Sequence, residues 1–330
     1  MKLNPIFTNH IIFQAEKPIR FYGEGSGTVT VTLNGATKTE AFSGDSWLIE
    51  LPPMAYGGPY TAEIELNGEK TLLSDVFVGE VLLLAGQSNI ELTLGGTNYP
   101  VDKYESNSML RCFALERFNK NGSITPADGW FACDKDDRLG SWSAIGYHLG
   151  QLLTKKRGIA VGLIFCYQGA SVIESWMPAE LAAQEKFYLP KEEKYDSPFV
   201  HTEHNENGAL YNAVFRQTIP YSVGNVIWYQ GCSNTGPSEY KIYTDLLCTL
   251  IDRWRQDLMD EVLPFTVVQI ADWDQRDDAA WKGIQQAQLK ITEVRGNVKT
   301  VISADLCEVD DIHPPTKHLL ARRIYKTIFE

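Results

Sequence analysis

The stretch Val81-Leu82-Leu83-Leu84-Ala85-Gly86-Gln87-Ser88-Asn89 decides the fold. An apolar run without polar alternation reads as a strand buried on both faces, the mark of a parallel sheet covered by helices. The turn after it places a hydroxyl, Ser88, between small and polar residues. Ligands of open α/β sheets bind outside the carboxyl ends of the strands, so Ser88 stands where chemistry is to be sought.

Runs of the same kind recur at Ile159-Ala160-Val161-Gly162-Leu163-Ile164-Phe165, Val226-Ile227-Trp228-Tyr229, Phe265 to Ile270 and Val298 to Ala304. Between and after them lie helix-like segments: Ala144 to Lys156 stopped by Gly158, Ala209 to Ile219 stopped by Pro220, Tyr240 to Leu258, Trp281 to Val294 stopped by Gly296, and Lys317 to Phe329. Strands alternating with helices predict a parallel α/β sheet with helices on both faces. Upstream, Thr28 to Leu33 is followed by Asn34-Gly35, and Tyr60 to Leu66 by Asn67-Gly68. Asn-Gly between alternating runs is a hairpin signal, because both central residues of a type I′ turn need φ > 0. The expected organisation is therefore a small β-sandwich over residues 1–75 and an α/β domain over 76–330. Residues 184–207, polar and aperiodic, read as an insertion or flap.

The 330 residues, 44% apolar and 22% charged, have the composition of a globular protein. Thirty Lys+Arg against forty-two Asp+Glu give a net charge of −12, which argues against a nucleic-acid face. No run approaches a membrane span, and Met1 to Ile6 lacks the apolar core of a secretory signal, so the expectation is a soluble, cytoplasmic protein. The cysteines Cys112, Cys133, Cys166, Cys232, Cys248 and Cys307 are dispersed and contain no C-x-x-C. His201 and His204 have a spacing open to metal, but their segment is too polar to be a rigid site; no metal or cofactor is expected.

Three further strand ends carry reactive or hydrogen-bonding groups. Asp310-Asp311-Ile312-His313-Pro314-Pro315 supplies carboxylates and an imidazole just before a helix, a stiff turn on which a carboxylate can accept the Nδ1 proton and leave Nε2 as a base. Gly169-Ala170-Ser171 and Gln230-Gly231-Cys232-Ser233-Asn234 offer the backbone N–H and side-chain amides that an oxyanion hole needs. Read blandly, the serine is a helix cap and the glycines and Asn fill turns. Against that, all four segments fall at the ends of strands of one sheet.

Gly86-Gln87-Ser88-Asn89, Trp228-Tyr229-Gln230-Gly231 and Asp311-Ile312-His313-Pro314 resemble the blocks of SGNH-type carbohydrate esterases, more closely bacterial sialate O-acetylesterases and acetylxylan esterases. The likeness runs from about Phe7 to the last helix and includes Asp75-Val76-Phe77-Val78-Gly79-Glu80-Val81 and Ile173-Glu174-Ser175-Trp176-Met177. It implies a three-layer α/β/α hydrolase with a flavodoxin-like parallel sheet and an N-terminal β-sandwich. The implied reaction is removal of O-acetyl groups, as from a sialate, through an acetyl-serine and without cofactor. The substrate would be a small acetylated sugar or oligosaccharide, with acetylxylan or another acetyl-sugar as alternatives, and a decayed carbohydrate-binding protein as the reading from another class. An oligomer is compatible with the sequence. By the same resemblance Ser88 is the nucleophile, His313 the base and Asp310 its orienting carboxylate, with Asp311 second. Ser88 and Gly169 N–H groups and the amide of Gln230, or else Asn234, hold the oxyanion, while Gln87, Asn89, Glu174 and Trp176 contact substrate. Trp176, Tyr229 and Trp273 are candidate sugar platforms.

The chain departs from the pattern at three places. Ile90 stands where the family prefers Met, and Ala170 replaces the second of a Gly-Gly pair, a strained choice if φ there is positive. Cys232 replaces a frequent Glu, a loss that is expected to shift a partner's pKa. The net charge of −12 disfavours an anionic sugar unless local basic residues offset it.

Overall fold

The strand that opens the chemistry is longer than its apolar run: in a computed structural model it spans Glu69–Gly86. The structure describes residues 1–118, 124–125, 127–134, 138–276 and 278–330. The first part of the strand pairs antiparallel with Gly57–Leu66, and its last part runs through the middle of the main sheet. Across that sheet the order is Trp130–Cys133, Asn107–Ala114, Val161–Tyr167, Glu69–Gly86, Asn225–Tyr229, Phe265–Val268 and Val298–Val301. All neighbours are parallel except the antiparallel edge strand Trp130–Cys133.

Chain connectivity leaves the Glu69–Gly86 strand towards one side, to Asn107–Ala114 and Val161–Tyr167, and later returns to its other side at Asn225–Tyr229. The order therefore reverses around this strand, and Gln87 and Ser88 follow its carboxyl end, the place where open α/β sheets bind their ligands. The five strands read from the apolar runs are all present, in the order second, first, third, fourth, fifth. Asn107–Ala114 was not legible as a strand, because Arg111 interrupts its apolar residues. That guanidinium is buried and held by Asp75 Oδ2 at 2.9 Å, the Asp75 carbonyl at 2.6 Å and the His10 carbonyl at 2.9 Å.

The helices fall close to their sequence signals. Ala144–Arg157 begins on Ser143, whose Oγ accepts the Gly146 N–H, and ends on Gly158 at φ 65°. Ala279–Val294 is capped by Asp278, and the last helix is Lys317–Phe329 as read. The segment expected as one helix from Ala209 to Ile219 is instead a short helix, Ala209–Ala213, and a 3-10 turn, Phe215–Thr218. The break lets Phe215 stack on Trp254 with ring centroids 3.8 Å apart.

Both Asn-Gly hairpins form, with Asn34, Gly35, Asn67 and Gly68 at φ 46°, 83°, 52° and 88°. The N-terminal strands make a three-stranded sheet and an arm continuous with the main sheet. One hydrophobic core joins Phe7, Phe13 and Phe21 of this region to Val81, Trp228 and Trp254 of the larger one. Arg20, also buried, reaches across to the Leu258 carbonyl at 2.8 Å. Residues 184–207 contain only short 3-10 turns. Among the described residues no helix is long and apolar enough to cross a membrane.

Candidate active site

The turn that carries Ser88 is held between two strand ends. Gly86 sits at φ 131°, and a Cβ there would lie 2.3 Å from the Tyr229 carbonyl oxygen, so only glycine lets the chains approach this closely. Its carbonyl accepts the Gln168 N–H at 3.0 Å, and the Gln87 N–H is donated to Tyr229 at 3.0 Å. Ser88 then opens the one-turn helix Ser88–Glu91. As a first helical residue it has an N–H with no intrahelical acceptor.

The structure brings Ser88 and His313 together across 225 positions of sequence: Ser88 Oγ lies 2.7 Å from His313 Nε2. Burial holds the imidazole below its ordinary value; the Lys317 ammonium lowers it further and the Asp311 carboxylate opposes them. The ring is thus neutral, and able to accept a proton, to lower pH than an exposed histidine.

Asp310 differs from its expected place. It is exposed and has no hydrogen bond to the His313 ring among the described contacts, whereas Asp311 Oδ1 accepts the His313 backbone N–H at 2.8 Å. Three residues of separation allow the reach Asp310 would need, but here its equally exposed neighbour Asp311 caps the His313 backbone instead.

The expected oxyanion amides are also placed otherwise. Gln230 Nε2 donates to the Ser171 carbonyl at 2.9 Å and to Asn234 Oδ1 at 2.8 Å. Asn234 Nδ2 donates to Glu174 at 2.9 Å and to Glu239 at 3.3 Å. Both amides are fully buried with both protons engaged, so neither is available to an oxyanion. Gly169 does lie beside Ser88, a Cβ on it falling 3.8 Å from Ser88 Cβ. Its N–H leans on the Glu91 carboxylate, which Arg117 holds at 2.7 Å and which burial pushes above the usual carboxyl range.

Of the residues assigned to substrate, Gln87 and Asn89 are buried and serve the site from beneath. Gln87 Oε1 accepts the Gly231 N–H at 2.9 Å, tying the Ser88 turn to the neighbouring loop. Asn89 Nδ2 donates to the Ile312 carbonyl at 2.9 Å and so holds the residue before His313. Trp176 is a core residue, corrected from substrate contact: fully buried, edge-on to Trp228 at 6.2 Å, with its Nε1 donating to Ser171 Oγ. Tyr229 is likewise fully buried, and Trp273, packed on Trp281, is the partly exposed member of the three aromatics. Glu174 is buried against Asn234 and lines a cavity of about 160 Å³ that includes Ser233 but neither Ser88 nor His313. Its neighbour Glu239 is pushed up to about 7 by burial and by the Glu174 charge.

Ala170 is at φ 56°, the left-handed region that its Gly-to-Ala departure made costly, by about 1–2 kcal/mol. Asn205, from the segment read as a flap, clamps the turn: Nδ2 donates to the Ala170 carbonyl and Oδ1 accepts the Val172 N–H, both at 2.9 Å. His204 of the same segment is half-buried against this turn, and His201 pairs with Asp196 at 2.7 Å. No group of three or more side chains that could hold a metal is found among the described residues. Cys232 is buried and its thiol is pushed up to about 12 by burial, so it supplies no charge in place of a carboxylate.

Residues 78–324 match the family model for carbohydrate esterases described as sialic acid-specific acetylesterases. The chain belongs to this family. Among its relatives, the sialate O-acetylesterase of Homo sapiens is 26% identical over 92% of this chain and 65% of its own length. That of Mus musculus is 23% identical over 96% of this chain and 71% of its own. The chain thus spans a little under two thirds of the human relative. A solved carbohydrate acetylesterase from Xanthomonas citri superposes with a TM-score of 0.83 at 25% identity, covering 98% of this chain and 73% of that one. This member of the sialic acid-specific acetylesterase family therefore has the mixed α/β architecture of a known carbohydrate esterase, with Ser88 and His313 paired at the strand-order reversal.

Proposed function

We propose that this protein is a serine esterase that removes O-acetyl groups from a carbohydrate, with a sialate-type sugar as the leading substrate and an acetylated xylan or other acetyl-sugar as the alternative. The observation that carries the reading is the 2.7 Å contact between Ser88 Oγ and His313 Nε2 at the reversal of strand order. Ser88 Oγ attacks the acetyl carbonyl carbon while His313 Nε2 takes its proton. The tetrahedral intermediate, its oxyanion met by the backbone N–H of Ser88 and of Gly169 once Glu91 yields it, expels the sugar oxygen, which leaves with the proton from His313. Water, deprotonated by His313, then cleaves acetyl-Ser88 and releases acetate. Asp311 rather than Asp310 is the carboxylate that acts on His313, through the loop backbone and through charge.

The SGNH-type three-layer arrangement, the division into a β-sandwich over residues 1–75 and a catalytic domain over 76–330, and a cytoplasmic location belong to the same proposal. None of the six cysteines forms a disulfide, which suits a reducing compartment. The substrate is tested by measuring acetate released from a panel of O-acetylated sialic acids, acetyl-xylo-oligosaccharides and neutral acetyl-hexoses. Release from at least one sugar is expected. Binding of an acetylated glycan with no release from any would identify a decayed binding protein instead.

A further inference from the structure

Lys317 is the first residue of the last helix and is 1% exposed. Its position is unfavourable in three ways. An ammonium withdrawn from water loses its hydration, a cost of several kcal/mol even after the protein relaxes. No carboxylate lies within ion-pair distance of it among the described residues. A cation at a helix N-terminus also meets the positive end of the helix dipole. Its direct partners are Asn89 Oδ1, at 2.6 Å from Nζ, and the face of Tyr229, whose centroid is 5.5 Å away.

These partners belong to the reacting pair. Asn89 follows Ser88, and its other end donates to the carbonyl of Ile312, the residue before His313. Tyr229 receives the Gln87 N–H that pins the nucleophile turn. One ammonium therefore touches both the residue after Ser88 and the strand end that holds its turn. We propose that Lys317 is a positioning residue for the Ser88–His313 pair: by fixing Asn89, and through it the Ile312 carbonyl, it locks the nucleophile turn to the loop that carries the base. The inference rests on the esterase reading above.

The ammonium acts on His313 through charge as well as through Asn89, since it disfavours the imidazolium. The groups facing Lys317 are Cys232 and Cys307, with Glu308 and Asp311 further contributing, and burial brings its own pKa down to about 8. Asp311 is the carboxylate that opposes it at His313.

Lys317→Met is expected to lower kcat for p-nitrophenyl acetate about 10²-fold, the scale of loss seen when a reacting group is misplaced by about 1 Å, with little change in KM. Loss of the positive charge raises the His313 pKa, so the acid limb of the kcat/KM profile moves to higher pH. Lys317→Gln, which keeps a donor for Asn89 without the charge, gives the same upward shift with a smaller fall in kcat, and stands in if the Met variant does not fold. An NMR titration of the His313 ring in either variant reads the shift without catalysis. If the unmutated protein is active and Ser88→Ala is not, while both Lys317 variants keep kcat and the His313 titration unchanged, the positioning role is wrong and the esterase reading stands. If the unmutated protein releases no acetate from any ester, the esterase reading falls; an unshifted His313 titration would then overturn the Lys317 assignment too.

Discussion

Ser88→Ala is expected to abolish acetate release from p-nitrophenyl acetate, a fall of about 10⁴-fold or more, while leaving the fold intact. The expected effect is large because in the proposed mechanism the Ser88 oxygen is the bond-forming atom, and no neighbouring group can take its place. The cysteine next to the site, Cys232, is a neutral buried thiol pushed up to about 12, and is no nucleophile at neutral pH. Stability should change little. The hydroxyl's hydrogen bond is to His313 at 2.7 Å, on a half-buried surface, so its removal leaves no deeply buried group stranded. Unchanged circular dichroism with lost turnover meets the expectation; retained turnover in the folded variant would remove Ser88 from the mechanism.

His313→Ala is expected to cost about as much as Ser88→Ala, and the double variant no more than either alone, because a nucleophile and its base act as one unit. Additive losses would mean that the two residues serve separate steps. The carboxylates separate further. Asp311→Asn keeps an oxygen for the His313 N–H but removes the charge that supports the imidazolium, so a measurable loss is expected. Asp310→Asn, at a residue with no bond to the His313 ring or backbone among the described contacts, is expected to lose less. Steady-state rates of the two variants side by side give the order, and a larger loss at Asp310 would restore it as the orienting carboxylate.

Much of this was legible in the chain because the informative residues are local. Apolar runs without alternation gave the buried strands, and Asn-Gly pairs gave the hairpins. The positions after the strands gave Ser88, Gly169 and His313. What escaped depends on long-range pairing. The Asn107–Ala114 strand hides behind Arg111, whose partners Asp75 and His10 come from a different part of the chain. Gln230, Asn234 and Trp176 carry groups suited to a site, yet each is engaged by neighbours that only the folded chain brings near. Two glutamates illustrate the same limit, since the contact of Glu91 with Gly169 and that of Glu174 with Asn234 leave no mark in spacing. Lys317 did leave one. It occupies the apolar stripe of the last helix with Leu320, Ala321 and Ile324, all buried, and a lysine on that stripe must bury its charge.

The most direct test is covalent. A fluorophosphonate forms a stable bond to an activated serine with loss of fluoride, whatever the rate of deacylation, and peptide mass mapping then locates it. One label per chain, on Ser88, absent from His313→Ala and slowed by an acetylated sugar, is the expected result; label confined to another residue, or none on Ser88 in a protein that hydrolyses acetyl esters, would contradict it.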